Sequence, residues 1–189
     1  MKTYSMKLFA TCAIRAGEEV TFEYVPLEQT RETRRAQLRE AYYFECECHI
    51  CSLSPKAIKA SDGARLEIQG LWKNNENRFM KRCRNPAWSA QQIMNAAERL
   101  IELHDKEDMR DWSQVSYNDT LAIMHAMIED EVGWKKFGKI SLKWYEQRHH
   151  PTNAETWRKW MAMSNSENPF WGLRKGQRAG GRGNSKRVA

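Results

Sequence analysis

The spacing of apolar residues predicts helices throughout the chain beyond residue 62. The clearest helix follows Ser89, which forms a capping box with Gln92 ahead of an apolar stripe at i, i+3, i+4, i+7 and i+8. The stripe consists of Ile93, Ala96, Ala97, Leu100 and Ile101. Two further stripes run through 117–128 and 137–144. Together they predict a few antiparallel helices, arranged as a bundle or as an array of the tetratricopeptide kind.

Residues that break or cap helices mark the expected ends of these elements. Gly133 is expected to end the helix over 117–128, and Pro151 to interrupt the next one. Thr152 with Glu155 predicts the cap of a last short helix. All eight tryptophans lie after position 71, so the helical half is expected to bury an aromatic core of its own.

The first sixty residues show a different pattern, which predicts a small β part. Apolar residues at 7–14 and the apolar–polar alternation at 20–24 predict two short strands, separated by a turn at 15–18. A stripe of apolar positions among charges predicts a helix over 31–42, and a loop is expected at 52–60. The predicted fold class is therefore mainly α with a small β part.

Composition and cysteine usage favour a folded protein of a reducing compartment. Hydrophobic residues make up 41% of the 189 residues, and no stretch approaches the ~20 apolar residues that span a bilayer. The first ten residues lack the apolar core of a secretory signal. Five cysteines, an odd number, are typical of thiols that stay reduced. We therefore expect an intracellular protein of the nucleus or the cytoplasm, with no membrane contact.

The positive charge is concentrated at the C-terminus. Residues 172–189 contain six Lys and Arg and no acid, so they supply 6 of the net charge of +7 and leave +1 for the remainder. The basic character therefore describes a Gly/Arg-rich tail rather than a folded nucleic-acid-binding face. We expect this tail to be a solvated, disordered terminus, and any nucleic-acid contact to be made only through it.

Three clustered cysteines carry the strongest chemical signal. Cys46, Cys48 and Cys51 follow an aromatic triplet at Cys-x-Cys-x-x-Cys spacing. Thiolates packed this closely repel one another and lose hydration, and a divalent metal compensates both costs. The pattern predicts a zinc site, the alternative being three ordinary buried cysteines.

A structural zinc site has four ligands, and this cluster supplies three. His49 lies between two of the cysteines, where its coordination would strain the geometry. Cys12 and Cys83 are the other candidates, although each stands alone in the sequence and also fits a small core residue. The residues themselves leave the fourth ligand open.

The order of motifs around the cysteines resembles a known family. The segment 13–24 carries Gly17-Glu18-Glu19 ahead of a predicted strand that ends at Tyr24, and the helix over 31–42, the aromatics and the cysteines follow. This order is similar to the junction between SET and post-SET in SET-domain protein lysine methyltransferases, in the branch with MYND-type and fungal members. The resemblance covers residues 5–51 well and the helical half loosely. It implies the C-terminal fragment of a SET β-fold with a post-SET zinc knot, followed by an α-helical array.

The resemblance also implies a role for individual residues. Tyr24 matches the catalytic tyrosine near the transferred methyl group, Tyr42 an aromatic of the lysine channel, and Phe44 the aromatic that packs on the cofactor adenine. The matching zinc ligands are Cys46, Cys48 and Cys51. The implied cofactors are zinc and S-adenosylmethionine, and the implied partner is a protein with a substrate lysine, a histone being one candidate.

The same resemblance implies segments that this sequence lacks. In the family, a Gly-rich cofactor loop and an Asn-His-Ser-Cys segment, whose cysteine is the fourth zinc ligand, precede the part seen here. No Asn-His pair occurs in the 189 residues. We therefore expect an N-terminally truncated copy, inactive on its own. The alternatives are a non-catalytic, zinc-stapled helical scaffold that binds a protein, and a nucleic-acid-associated protein acting through its tail.

These observations predict four segments along the chain. Residues 1–51 form a partial SET domain with the cysteine cluster, and 52–61 form a linker. Residues 62–165 form the helical domain, and 166–189 form the basic tail.

Overall fold

The computed structural model describes residues 10, 13–73, 83, 85, 87–109 and 113–177. Within these residues the regular elements are all α-helices. They are α1 (Arg31–Tyr42), α2 (Pro55–Lys73), α3 (Ala90–Lys106), α4 (Ser113–Met127), α5 (Glu131–Gln147) and α6 (Pro151–Ala162). The chain divides into two compact units, one of Met1–Lys73 with Leu103–Asp111 and one of Asn74–Glu102 with Trp112–Ala189. Among the described helices, none is both long and apolar enough to cross a membrane.

The small β part predicted from the sequence is wrong for the part of the chain that the structure describes. The segment 20–24 keeps its apolar–polar alternation, but Val20, Phe22 and Tyr24 remain 67%, 60% and 45% exposed. A strand needs a neighbouring strand to share its backbone hydrogen bonds and a core to receive its apolar face. Most of the strand predicted at 7–14 lies outside the described residues. In place of the expected C-terminal fragment of a SET β-fold, the described residues have helices as their regular elements.

Helix α1 has the bounds that the sequence predicts. Thr30 caps it, since its hydroxyl accepts a hydrogen bond from the backbone N–H of Thr33 at 3.4 Å. Leu38 is buried on its inner face. Tyr43 caps the C-terminus of the helix. Its left-handed backbone (φ 60°) lets its N–H donate to the carbonyl of Arg39 at 3.2 Å. Helix α2 begins at Pro55, inside the stretch predicted to be a loop.

Buried arginines hold the first unit together. Arg65 on α2 is almost fully buried, and its Nη2 lies 3.2 Å from the Oε2 of Glu107. Its Nε donates to the hydroxyl of Ser61 at 3.2 Å, and its Nη1 donates to the carbonyl of Leu27. A buried guanidinium is tolerated only with such partners. Arg65 therefore fixes the loop before α1 to helix α2.

In the second unit, α4 and α5 form an antiparallel hairpin. Near its open end the hydroxyl of Tyr145 donates to the Oδ2 of Asp119 at 2.7 Å, and near the turn the ring of His125 stacks on Phe137 at 5.4 Å. Gly133 was expected to end the preceding helix, but it lies in the first turn of α5. Glycine is favoured at this position because a Cβ would overlap the His125 ring.

The aromatic core expected for the helical half is present. Trp134 of α5 packs on Trp157 of α6 at 5.6 Å, and the cluster continues through Trp160 to Phe170 with ring spacings of 5.2 Å. Pro151 opens α6 as its first residue, a position where its missing N–H costs no helical bond. The cap predicted at Thr152 is therefore wrong.

The start of α3 and the C-terminal turns complete this unit. The capping box is confirmed, because Ser89 and Gln92 exchange hydrogen bonds of 2.9 Å and 3.1 Å. Arg174, grouped by sequence with the basic tail, is buried and donates to the carbonyls of Cys83 and Asn85 at 2.5 Å and 2.6 Å. Residues beyond 177 lie outside the described part.

Candidate metal centre and aromatic cluster

The three clustered thiols come together after helix α1. The sulfurs of Cys46, Cys48 and Cys51 all lie within 4.8 Å of one another. Tetrahedral zinc with Zn–S bonds of about 2.3 Å places its sulfurs about 3.8 Å apart, so this cluster fits the ion with little contraction. The turn between the last two cysteines is closed by a backbone bond of 3.0 Å from the N–H of Ser52 to the carbonyl of Cys48. The donor set and its spacing therefore suit a structural zinc ion.

The surroundings shift the pKa values of Cys48 and Cys51 in opposite directions. Burial tends to raise the pKa of Cys48, but the backbone N–H of Cys51 and the two neighbouring thiols outweigh it, so the net pKa is lowered. Burial, reinforced by the adjacent Cys48, raises the pKa of Cys51 to about 11. Cys48 therefore ionises before Cys51, and a metal ion that uses Cys51 as a ligand must displace its proton.

Two arginines of α1 contact Cys51, the most buried of the three thiols. The Nε of Arg31 donates to the carbonyl of Cys51 at 2.7 Å, and the Nη2 of Arg34 lies 3.9 Å from the Cys51 sulfur. Arg34 is buried, so its positive charge acts on the Cys51 sulfur with little screening. Three thiolates on a divalent ion would leave one excess negative charge, which this guanidinium would offset. Sequence reasoning missed Arg34 because an arginine in a charged helix is typical of a solvent-facing position.

The structure gives no fourth ligand from the described part of the chain. The group of side chains there that could share an ion consists of Cys46, Cys48 and Cys51, without His49. Cys83 belongs to the second compact unit and is buried. Cys12, the remaining candidate, lies outside the described residues.

Aromatic side chains form a cluster that includes Phe44, two residues before the first cysteine. The ring of Tyr24 meets Tyr42 at 5.0 Å and Phe44 at 5.6 Å, both edge to face, and packs on Phe22 at 4.4 Å. These rings are all more than a third exposed and form an open surface. Tyr43 is 89% exposed, since the left-handed turn directs it away from α1. The three aromatics singled out by sequence, Tyr24, Tyr42 and Phe44, therefore lie together.

A carboxylate between the two clusters is held by two arginines. The Oε2 of Glu45 lies 2.6 Å from the Nη2 and 3.0 Å from the Nε of Arg35. Its Oε1 accepts from the Nε of Arg39. The bond from Arg39, together with Arg35, lowers the pKa of Glu45 below its ordinary value. Sequence reasoning missed this arrangement, whose signal is a pair of arginines at i, i+4 on a helix that leads into the cysteines.

Comparisons with known proteins find relatives that are similar to parts of this chain. A stretch of 95 residues, 50% of the chain, is 33% identical to the histone-lysine N-methyltransferase SMYD3 of Mus musculus and covers 21% of it. A stretch of 58 residues, 31% of the chain, is 40% identical to the N-lysine methyltransferase SMYD2 of Homo sapiens and covers 12% of it. A SET domain-containing protein of Dictyostelium discoideum is 33% identical over 51 residues, 27% of the chain and 13% of that protein. No family model and no solved structure match the chain.

These local similarities support a relationship to the SET-domain proteins. Two of the named relatives, SMYD3 and SMYD2, are lysine methyltransferases. The matched stretches span no more than 21% of these relatives' own length.

Proposed function

We propose that this chain supplies one wall of a SET-type protein lysine methyltransferase site, of the post-SET branch with MYND-type members. The observation that carries the proposal is the contact of Tyr24 with both Tyr42 and Phe44, immediately ahead of the metal-binding cysteines. The relatives named as histone-lysine and N-lysine methyltransferases suggest a protein lysine as the substrate, with a histone as one candidate.

In this proposal, zinc held by the three cysteines fixes the backbone on which the aromatic side chains stand. Phe44 lies two residues before the first cysteine, and Tyr42 is the last residue of α1. A metal site only a few residues away from Tyr42 and Phe44 restricts the positions of these aromatic side chains. Zinc here has a structural task, because thiolate-rich sites of this kind stabilise local folding.

The aromatic side chains suit methyl transfer to an amine. S-adenosylmethionine supplies an electron-poor methyl group, and the reaction depends on in-line alignment in a water-poor channel. The hydroxyl of Tyr24 would accept a hydrogen bond from the lysine amine and orient its lone pair. The ring of Tyr42 would contact the methylammonium product by cation–π attraction, and Phe44 would pack on the adenine.

The exposure of these rings argues for an incomplete site. Tyr24, Tyr42 and Phe44 are 45%, 47% and 39% exposed, whereas a methyl-transfer channel excludes water. We therefore propose that the chain is inactive on its own, and that a second wall outside the described residues is required for turnover.

Saturation-transfer NMR of S-adenosylmethionine with the zinc-loaded chain tests the cofactor role. We expect weak binding, in which the adenine protons receive saturation, and loss of this signal in Phe44→Ala. Tyr43→Ala is the matched control, since it removes the adjacent exposed ring and should keep the signal. Absence of saturation in the wild type, or equal loss in both variants, would contradict the proposal.

A zinc-stapled scaffold without catalysis is the second candidate. The second unit has an open groove of about 870 Å³ beside the end of α4, lined among others by Met127, Pro169 and Leu173. Arg174 and Lys175 also line this groove, and a groove with apolar and basic lining on a helical unit suits a peptide partner. Stoichiometric zinc with no saturation of the cofactor would favour this function over the first.

A further inference from the structure

We propose that Glu45 is a positioning residue that couples the zinc site to the aromatic cluster by tying the segment between them to helix α1. The inference rests on the proposed function, since it concerns the same cysteines and the same rings. Glu45 stands between Phe44 and Cys46 in the sequence, so whatever fixes its side chain restrains one member of each cluster.

The contacts of the carboxylate use both of its oxygens. Oε2 binds two nitrogens of Arg35 at 2.6 Å and 3.0 Å, and Oε1 binds Arg39. A single exposed ion pair is usually weak because two long side chains must be ordered to make it. Here one carboxylate engages two guanidinium groups that lie one turn apart on a rigid helix, which fixes its direction as well as its distance.

The backbone before Glu45 explains why such a restraint is needed. Tyr43 has a φ of 60°, a conformation that side chains other than those of Gly, Asn and Asp rarely adopt. It reverses the chain at the end of α1, and its N–H bonds to the carbonyl of Arg39. Arg39 thus restrains both sides of the turn. Its carbonyl accepts the N–H of Tyr43, before Phe44, and its guanidinium binds Glu45, after Phe44.

The other end of the metal site has supports of its own. Cys51 is buried and is contacted by Arg31 through its carbonyl and by Arg34 through its sulfur. Cys46, at the near end, is held through the segment that Glu45 anchors. Loss of the Glu45 carboxylate should therefore loosen Cys46 and Phe44 while Cys51 stays in place.

The test compares Glu45→Gln with Glu47→Gln in the full chain. Both variants remove one negative charge next to Cys46, and Glu47 is exposed and makes no ion pair in the described part of the structure. Zinc affinity is measured by competition with a chromophoric chelator, and the thiolate-to-metal charge-transfer band is recorded on the cobalt form. We expect about tenfold weaker zinc binding and a weaker band in Glu45→Gln, within the range found for residues that support metal ligands, and no change in Glu47→Gln.

A charge exchange separates positioning from general destabilisation. Glu45→Arg combined with Arg35→Glu and Arg39→Glu restores opposite charges at the same places and should recover most of the lost zinc affinity and the band. Equal affinities in Glu45→Gln and Glu47→Gln, or no recovery in the exchange variant, would overturn the role of Glu45. A wild type that binds neither zinc nor cobalt would instead reject the metal site of the proposed function, and the role of Glu45 with it.

Discussion

The ring of Tyr24 packs edge to face on the ring of Phe44 at 5.6 Å, although the whole of helix α1 lies between them in the sequence. This contact is long-range, because the capped helix first carries the chain away and the left-handed turn at Tyr43 brings it back. The cysteines follow directly after the returning segment. The cysteine cluster and the aromatic cluster are therefore two parts of one local structure.

Removing the most exposed thiol should remove the metal. Cys48→Ser leaves two sulfurs of the three, and zinc retained after dialysis should fall at least about tenfold, since structural zinc depends on its full thiolate set. Elemental analysis by mass spectrometry provides the measurement. Cys83→Ser is the control, because that thiol is not in the cluster, and it should retain zinc. Unchanged zinc in Cys48→Ser would reject the site.

Zinc affinity should rise with pH. The pKa of Cys51 is raised to about 11 by burial, so at neutral pH this thiol still carries the proton that the metal must displace. The logarithm of the apparent association constant should increase by at least about one per pH unit between pH 6 and 8. Calorimetry in buffers of different ionisation enthalpy counts the released protons. A constant affinity over this range is incompatible with thiolate ligation by Cys51.

Asp119 should make the second unit more stable in mild acid. Burial raises its pKa from 3.8 to about 6, against the hydrogen bond that the Tyr145 hydroxyl donates to it. The folded state then binds the proton more tightly than the unfolded state, so this contribution is present below pH 3.8 and is lost as the pH rises through 6. When the pH is raised from 4.5 to 7, the free energy of unfolding of Asp119→Asn should rise by about 1–2 kcal/mol relative to that of the wild type. Urea unfolding at both pH values measures it, and identical pH dependence in the two proteins would contradict it.

The close approach of α4 and α5 should not tolerate a methyl group at Gly133. Its Cβ would overlap the His125 ring, so Gly133→Ala should lower the free energy of unfolding by about 1–3 kcal/mol. Gly63→Ala is the matched control, because Gly63 lies in α2 with open space around it, and alanine there should stabilise by up to ~1 kcal/mol. Thermal unfolding followed by circular dichroism compares them. Equal melting temperatures would show that the hairpin adjusts without cost.

Local patterns in the sequence predicted the features that depend on neighbouring residues. The bounds of α1, the capping box of Ser89 with Gln92 and the gathering of the three thiols are of this kind. The predicted strand at 20–24 did not form, because a strand depends on a distant partner that its own alternation cannot specify. Gly133 was misassigned for a related reason, since its role is to admit a ring from another helix.

Local sequence patterns also could not predict the contacts that Arg34 and Glu45 make at the site. Arg34 lies in a highly charged helix, which is typical of a solvent-facing position, and Glu45 is an exposed residue whose own position does not indicate its two arginine partners. Their partners lie 17 and 6 to 10 positions away in the sequence and are brought near by the turn at Tyr43. A sequence pattern records the type of such a side chain but not the atom that it reaches.

The most direct test of the account is fluorine NMR of the full chain labelled with 3-fluorotyrosine, recorded while zinc is added. If the metal fixes the aromatic wall, the resonances of Tyr24 and Tyr42 should shift and sharpen up to about one equivalent of zinc, while that of Tyr145 in the second unit stays unchanged. Cys48→Ser should abolish these changes. Zinc bound at one equivalent with no response from Tyr24 and Tyr42 would contradict the claim that the metal site holds the aromatic cluster.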